Sequence, residues 1–243
     1  MHARGQAFHF DIYQNETLRE NNNGPDGFGK NLQVSMNSML QPDVRVYNVG
    51  PSPPPEIVRM PDGSERRHKW HVIYRAQKKL YTYRISLKPY AISTDPIHRY
   101  NRVHIDGDID PVDLQRLLRH YEGTHNFRAF AGAIEANQRK EGIEHKDTVR
   151  TVYSVDLIDE GLGHYRVEIR LKGALYKMVR NMVGTAFDVC KGRVSEELML
   201  QLLHHSSDEQ SHKDYSFVRK DNKCKPAPPE GLCLEKVYFE DDF

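Results

Sequence analysis

The chain is poor in cysteine, in tryptophan and in long apolar runs. Its three cysteines are Cys190, Cys224 and Cys233, with no CxxC spacing among them. That excludes a zinc ribbon or a dithiol redox pair, and so sparse and odd a count fits a reducing compartment. Thirteen histidines include His204-His205 but no HExxH, so they read as scattered solvent-facing side chains. No stretch approaches the length of a membrane span, and the N-terminal MHARGQAFHFD is not built like a signal peptide. Internal repeats are absent. The formal net charge is only +1, so bulk charge selects no class of partner. Apolar residues make up 38% and charged residues 28%, with a mean hydropathy of −0.73. A chain of 243 residues can hold one large domain or two small ones around a proper core. Its polarity implies either exposed loops or a core whose remaining parts lie elsewhere.

What is present is a set of short, well-punctuated elements. Residues 7–12 alternate as a strand interior would, with Ala7, His9 and Asp11 on one face and Phe8, Phe10 and Ile12 on the other. Residues 20–27 are turn material, 29–40 read as a helix stopped before Pro42, and 43–48 as a short strand. Residues 49–69 carry Pro51, Pro53, Pro54 and Pro55 and a Pro61-Asp62-Gly63 turn, which marks an exposed insertion. A strand follows over 79–86. Asp110-Pro111 is a helix start, N-cap then proline, ahead of Leu114, Leu117, Leu118 and Tyr121 at helical spacing. Residues 131–147 are polar and read as a loop. Strands are expected at 150–158 and 164–171, where Tyr165, Val167, Ile169 and Leu171 alternate with Arg166, Glu168 and Arg170. The strongest helix is 175–191, with Leu175, Met178, Val179, Met182, Val183 and Ala186 in one stripe and Gly192 at its end. Another helix begins after Ser195, and a last strand spans 232–239. Hairpins interleaved with helices define an α+β fold with an antiparallel-rich sheet.

Charge is informative only locally. Between residues 59 and 84 stand Arg59, Arg66, Arg67, Lys69, Arg75, Lys78, Lys79 and Arg84, against Asp62 and Glu65 and interleaved with Trp70, Tyr74, Tyr81 and Tyr83. Such a segment is either a phosphate-facing surface or a solvated face. Arg180 sits beside the apolar stripe of the 175–191 helix. A lone arginine there is most often a snorkelling surface side chain.

Arg180 does not stand alone. The run Met178-Val179-Arg180-Asn181-Met182-Val183-Gly184 resembles the C-terminal signature of the tRNA pseudouridine synthase A family. Other stretches agree, in order. Met1 to Asp11 resembles the end of that family's Arg-Thr-Asp-x-Gly-Val-His-Ala motif and the strand after it. The segment from Trp70-His71 through Lys79-Leu80-Tyr81-Thr82-Tyr83-Arg84-Ile85 is similar to its basic Tyr-x-Tyr strand. Asn126 to Phe130 and Val149 to Tyr153 also fit, and Pro226 to Leu234 resembles its closing strand. The resemblance covers nearly the whole chain outside about 20–27, 49–69 and 131–146.

It implies isomerisation of uridine to pseudouridine in the anticodon stem-loop of tRNA, at positions 38 to 40, with neither metal nor organic cofactor. It implies a homodimer of two-domain α+β subunits with the active site in a cleft. Here the domains would be 1–92, an incomplete N-terminal domain with an insertion at 49–69, and 93–243, with an insertion at 131–146. Carried over residue by residue, Tyr81 would pack on the flipped uracil and assist proton removal. Arg180 would pair with the catalytic aspartate, and Leu232 would line the apolar side of the base pocket. His2 would lie just past the catalytic loop, and Lys78 and Lys79 would meet RNA. The family's aspartate falls four residues before the histidine matched by His2, ahead of Met1. A polypeptide starting at Met1 is therefore expected to lack activity, either through a start at an internal methionine or as a non-catalytic tRNA-binding relative. The intact pocket residues favour the first. Any targeting segment would also precede Met1, so the compartment stays open beyond a soluble intracellular protein.

Overall fold

The computed structural model describes residues 2–10, 24–87, 100–142, 147–203 and 217–239. The chain divides into two compact units, one of residues 1–6 with 76–243 and one of residues 7–75. The division expected at 92/93 lies in a stretch outside the described residues.

The larger unit is built on one mixed, mostly antiparallel sheet, so the α+β class holds. Its strands are β1 (His2–Ala3), β4 (Lys78–Leu87), β5 (Val103–Ile105), β6 (Gly123–Asn126), β7 (Val149–Gly161), β8 (His164–Leu171) and β9 (Leu232–Tyr238). Among the described residues their order is β1-β9-β4-β8-β7-β6. β9 pairs with the first part of β4 and β5 with its last three residues. Only β1–β9 and β4–β5 are parallel. The register Lys79↔Leu171, Tyr81↔Ile169, Tyr83↔Val167 puts the apolar residues of β4 and β8 on one face. The other face carries a ladder of ion pairs, among them Arg84–Glu235 at 3.1 Å, Arg166–Glu168 at 3.0 Å and Arg170–Glu168 at 2.7 Å. Strict alternation in the sequence thus becomes one buried and one half-buried charged surface.

Three helices of this unit follow the expected punctuation closely. In α3 (Pro111–Arg119) the Asp110 carboxylate accepts from the Val112 amide at 2.9 Å. Leu114, Leu117 and Leu118 are fully buried beneath it. In α5 (Met178–Cys190) the whole stripe Met178, Val179, Met182, Val183 and Ala186 is buried. It begins three residues later than the periodicity suggests, because Lys177 is in the left-handed region at φ 60°. In α6 (Glu196–Leu202) the Ser195 hydroxyl accepts from the Leu198 amide. Residues 131–147 are not the loop expected from their polarity: α4 spans Ile134–Glu141. Buried Ile134 anchors it and left-handed Gly142 ends it, so one apolar residue suffices where the pattern showed no stripe. Residues 143–146 of that stretch lie outside the described residues, as do His204, His205 and Asp11.

The smaller unit departs further from expectation. α1 spans Gly24–Met39, so residues 24–27 are helical rather than turn; Pro25 in a first turn withholds an amide the helix does not need. The expected strand at 43–48 does not form. Its place is taken by the Asn37 side chain, which accepts from the Val46 amide and donates to the Val46 carbonyl, both at 2.8 Å. The side-chain amide thereby does for Val46 what a neighbouring strand would. The insertion at 49–69 is a two-stranded hairpin, β2 (Glu56–Arg59) with β3 (Glu65–His68). α2 (Val72–Arg75) lies within the basic segment, ahead of the strand expected over 79–86. Residues 6–10 form no strand, and Phe8 and Phe10 are about half exposed. No described helix is long and apolar enough to cross a membrane.

Candidate active site

The signature helix α5 presents Arg180 at the margin of its apolar stripe, half-buried. The segment 225–228 is strapped against this helix. Arg180 Nε donates to the Ala227 carbonyl at 2.6 Å, and the Ala227 amide donates back to the Arg180 carbonyl at 2.9 Å. One turn on, Gly184 makes the close approach possible. A Cβ there would lie 2.2 Å from the Lys225 carbonyl oxygen and 2.9 Å from the Ala227 nitrogen. Two hydrogen bonds and a missing side chain therefore fix where the arginine's stem leaves the helix. Next to it, Asn181 is buried and donates to the Phe130 carbonyl at 2.5 Å, tying α5 to the short 3-10 turn at Arg128–Phe130.

From the sheet side the strap is held by Tyr83. Its ring is fully buried, 6.4 Å from Phe187, and its hydroxyl donates to the Pro228 carbonyl at 2.7 Å. Burial pushes the Tyr83 phenol strongly upward, Glu230 adds to this, and Arg180 opposes it. Gly231 completes the turn into β9; a Cβ on it would meet the Tyr83 ring and the Arg84 carbonyl at 2.9 Å.

Tyr81 lies two residues before Tyr83 on the same face of β4, half-buried at the rim of the core. Burial raises its phenol pKa as well, so the side chain is a neutral ring at neutral pH. Leu232 and Leu234, both buried, stand opposite Tyr83 and Tyr81 on β9. Tyr81, Leu232 and Arg180 thus border one face of the sheet around the strap. Lys79 opens β4 on the Tyr81 face, opposite Leu171. Lys78 falls on the other face, with its ammonium 5.5 Å from the Tyr153 ring centre and 5.9 Å from that of Tyr238. His2 also falls away from Tyr81. It shares a cross-strand row with Cys233 and Thr82, and its Nε2 meets the Tyr100 carbonyl.

The sequence placed Tyr83 in the Tyr-x-Tyr strand and Ala227 and Pro228 in the Pro226–Leu234 stretch, but nothing in it joined them to Arg180. Gly184, four residues after Arg180 on a helix, was the available clue. The thiols of Cys190, Cys224 and Cys233 are all pushed up by burial, Cys190 to about 11, which makes each a poor nucleophile. Among the described residues no group of histidine, cysteine and acidic side chains could hold a metal ion.

The sheet thus offers an aromatic rim at Tyr81, and the helix packed on it offers one arginine tethered through Nε. Comparison with known proteins identifies the class. The family model for tRNA pseudouridine synthase matches residues 117–240. Over 242 residues the chain is 30% identical to tRNA pseudouridine synthase A 1 of Protochlamydia amoebophila (strain UWE25), covering 100% of this chain and 77% of that protein. It is 26% identical to tRNA pseudouridine synthase A of Lactococcus lactis subsp. cremoris (strain MG1363), covering 99% and 76%. Against that of Chlamydia trachomatis serovar A it is 28% identical, covering 98% and 72%. The chain belongs to the tRNA pseudouridine synthase A family.

Proposed function

We propose that this protein isomerises uridine to pseudouridine in the anticodon stem-loop of tRNA, at positions 38 to 40, in a cleft between the two α+β domains of the family's fold. The observation that carries the reading is Arg180. It is half-buried, tethered through Nε to Ala227, and makes no ion pair among the described residues. Its fork is therefore available to the family's aspartate, which it would hold ionised and aimed at the ribose. That aspartate breaks the bond from ribose C1′ to uracil N1. The uracil turns, C1′ bonds to C5, the C5 proton is released, and N1, freed from C1′, takes up a proton. No step needs a metal or an organic cofactor. The base must leave the stack first, because its glycosidic bond is otherwise out of reach.

Tyr81 supplies the face on which the extruded uracil rests, a contact worth about 1–3 kcal/mol. Its raised pKa suits this role, since a neutral ring costs less to bury against a base than a phenolate. It removes the C5 proton only if another group takes up the charge. Leu232 closes the apolar side of the pocket. Lys79 meets phosphate on the Tyr81 side, with Lys78 and His2 serving RNA from the opposite face. The active species is a homodimer.

Because C5 gives up its hydrogen, tritium release from tRNA transcribed with [5-³H]uridine reads the reaction directly. A polypeptide of residues 1–243 will release none, since Tyr81 and Arg180 cannot perform the carboxylate's step. Where an in-frame Arg-Thr-Asp-x-Gly stands ahead of Met1, the protein expressed with it will release tritium. Release by residues 1–243 alone would mean that another side chain supplies the chemistry. A frame without the aspartate, and no release, would favour the second reading, a tRNA-binding protein on the same scaffold.

A further inference from the structure

The hairpin β2–β3 belongs to the smaller unit and packs no core. All eight of its strand residues are exposed, on both faces of the ribbon. Yet it is not a loose loop. At its tip Met60 and Ser64 close the turn at 2.8 Å, with Gly63 at φ 80°. At its base Glu56 pairs with Arg75 of α2, and that arginine holds the Glu56 carboxyl below the usual range. A paired ribbon with no buried side requires another reason for its shape.

Its charges supply one. Each acidic side chain of the hairpin is taken up within the unit. Glu56 is held by Arg75, Glu65 lies 3.4 Å from Arg59, and the Asp62 carboxylate accepts from the Ser64 amide at 2.9 Å and hydroxyl at 2.6 Å. Arg66, Arg67 and Lys69 make no ion pair among the described residues. Arg66 and Arg67 are consecutive in β3, opposite Val58 and Ile57, so they leave the ribbon on opposite faces. The unneutralised charge is therefore positive and two-sided. A polyanion with a row of charges on either side of a groove fits it; a flat acidic protein surface would engage one face alone. Double-helical RNA has that form, and RNA phosphates are the usual partners of arginine forks.

We propose that the β2–β3 hairpin is an RNA-binding arm that lies in a groove of a tRNA stem, with Arg66 and Arg67 meeting phosphates on its two walls. This rests on the reading of the protein as a tRNA enzyme, and the test separates the two. Binding of the 243-residue chain to an unmodified tRNA transcript is measured across a range of KCl concentrations, for the wild type and for the Arg66→Gln/Arg67→Gln pair. Two lost phosphate contacts will lower the slope of log Kd against log salt by roughly 1–2. Arg66→Lys/Arg67→Lys will keep most of the slope, and Glu65→Gln will not reduce it. A wild type with no salt-dependent tRNA binding would sink the functional reading itself. A salt-dependent wild type with an unchanged slope in the glutamine pair would overturn the arm alone. So would a glutamine pair that changes only the oligomeric mass, which would make the hairpin a subunit contact.

Discussion

Arg180→Ala, made in the protein expressed with its upstream coding sequence, will lower pseudouridine formation by about 10²–10³-fold while tRNA affinity stays near wild type. The side chain it removes is the proposed charge partner of a carboxylate in a partly desolvated site, and stranding such a charge costs about 3–5 kcal/mol. At about 1.4 kcal/mol per tenfold in rate, the lower part of that range is two to three decades. Arg180→Lys will recover only part of the loss, because an ammonium cannot keep the Nε bond to Ala227 and offer a planar fork to a carboxylate together. Steady-state tritium release separates the outcomes: kcat should fall and KM should hold. Turnover near wild type in Arg180→Ala would remove Arg180 from the mechanism.

Gly184→Ala will be strongly destabilising although it adds a single methyl group. Alanine favours helix over glycine by up to about 1 kcal/mol, so on propensity alone the variant should gain stability. The contact decides otherwise. The new Cβ would sit 2.2 Å from one backbone atom and 2.9 Å from another, neither of them the end of a flexible side chain. Overpacking of this kind costs about 1–3 kcal/mol, sometimes more, and relief requires the strap to leave α5. The Ala227 carbonyl leaves with it, so Arg180 loses its tether and activity falls together with the melting temperature. Gly173→Ala is the control, since a Cβ at Gly173 meets nothing within 4 Å. Thermal unfolding of both variants tests this. A Gly184→Ala protein as stable as the wild type would show that the strap is not held by close approach.

Where local chemistry decides, the sequence was a good guide to the fold. Asp110-Pro111 and Ser195 cap their helices as their residue types require, and the alternation over 164–171 becomes a two-faced strand. Where one tertiary contact decides, it was not. α4 rests on the burial of Ile134 in a run otherwise too polar to show a stripe. Residues 43–48 have a strand-like pattern, but the Val46 amide and carbonyl are taken by the Asn37 side chain instead. The hairpin turn at Pro61-Asp62-Gly63 was legible, yet its strands were not, since a ribbon exposed on both faces has no apolar alternation to display. The candidate site divides the same way. Tyr81, Arg180 and Leu232 are marked by motifs; Leu232 stands opposite Tyr83 on the sheet, and Arg180 is tied to Ala227. The contribution of Tyr83, Ala227 and Pro228 depends on contacts spanning 47 residues in one case and 145 in the other, which no local pattern encodes.

The most direct test of the account is a position-resolved map of pseudouridine in an unmodified tRNA transcript incubated with the protein expressed with its upstream coding sequence. The account predicts pseudouridine at one or more of positions 38 to 40 and none outside the anticodon arm. A folded protein that binds the transcript and leaves those uridines unchanged, or that modifies uridines elsewhere, would contradict it.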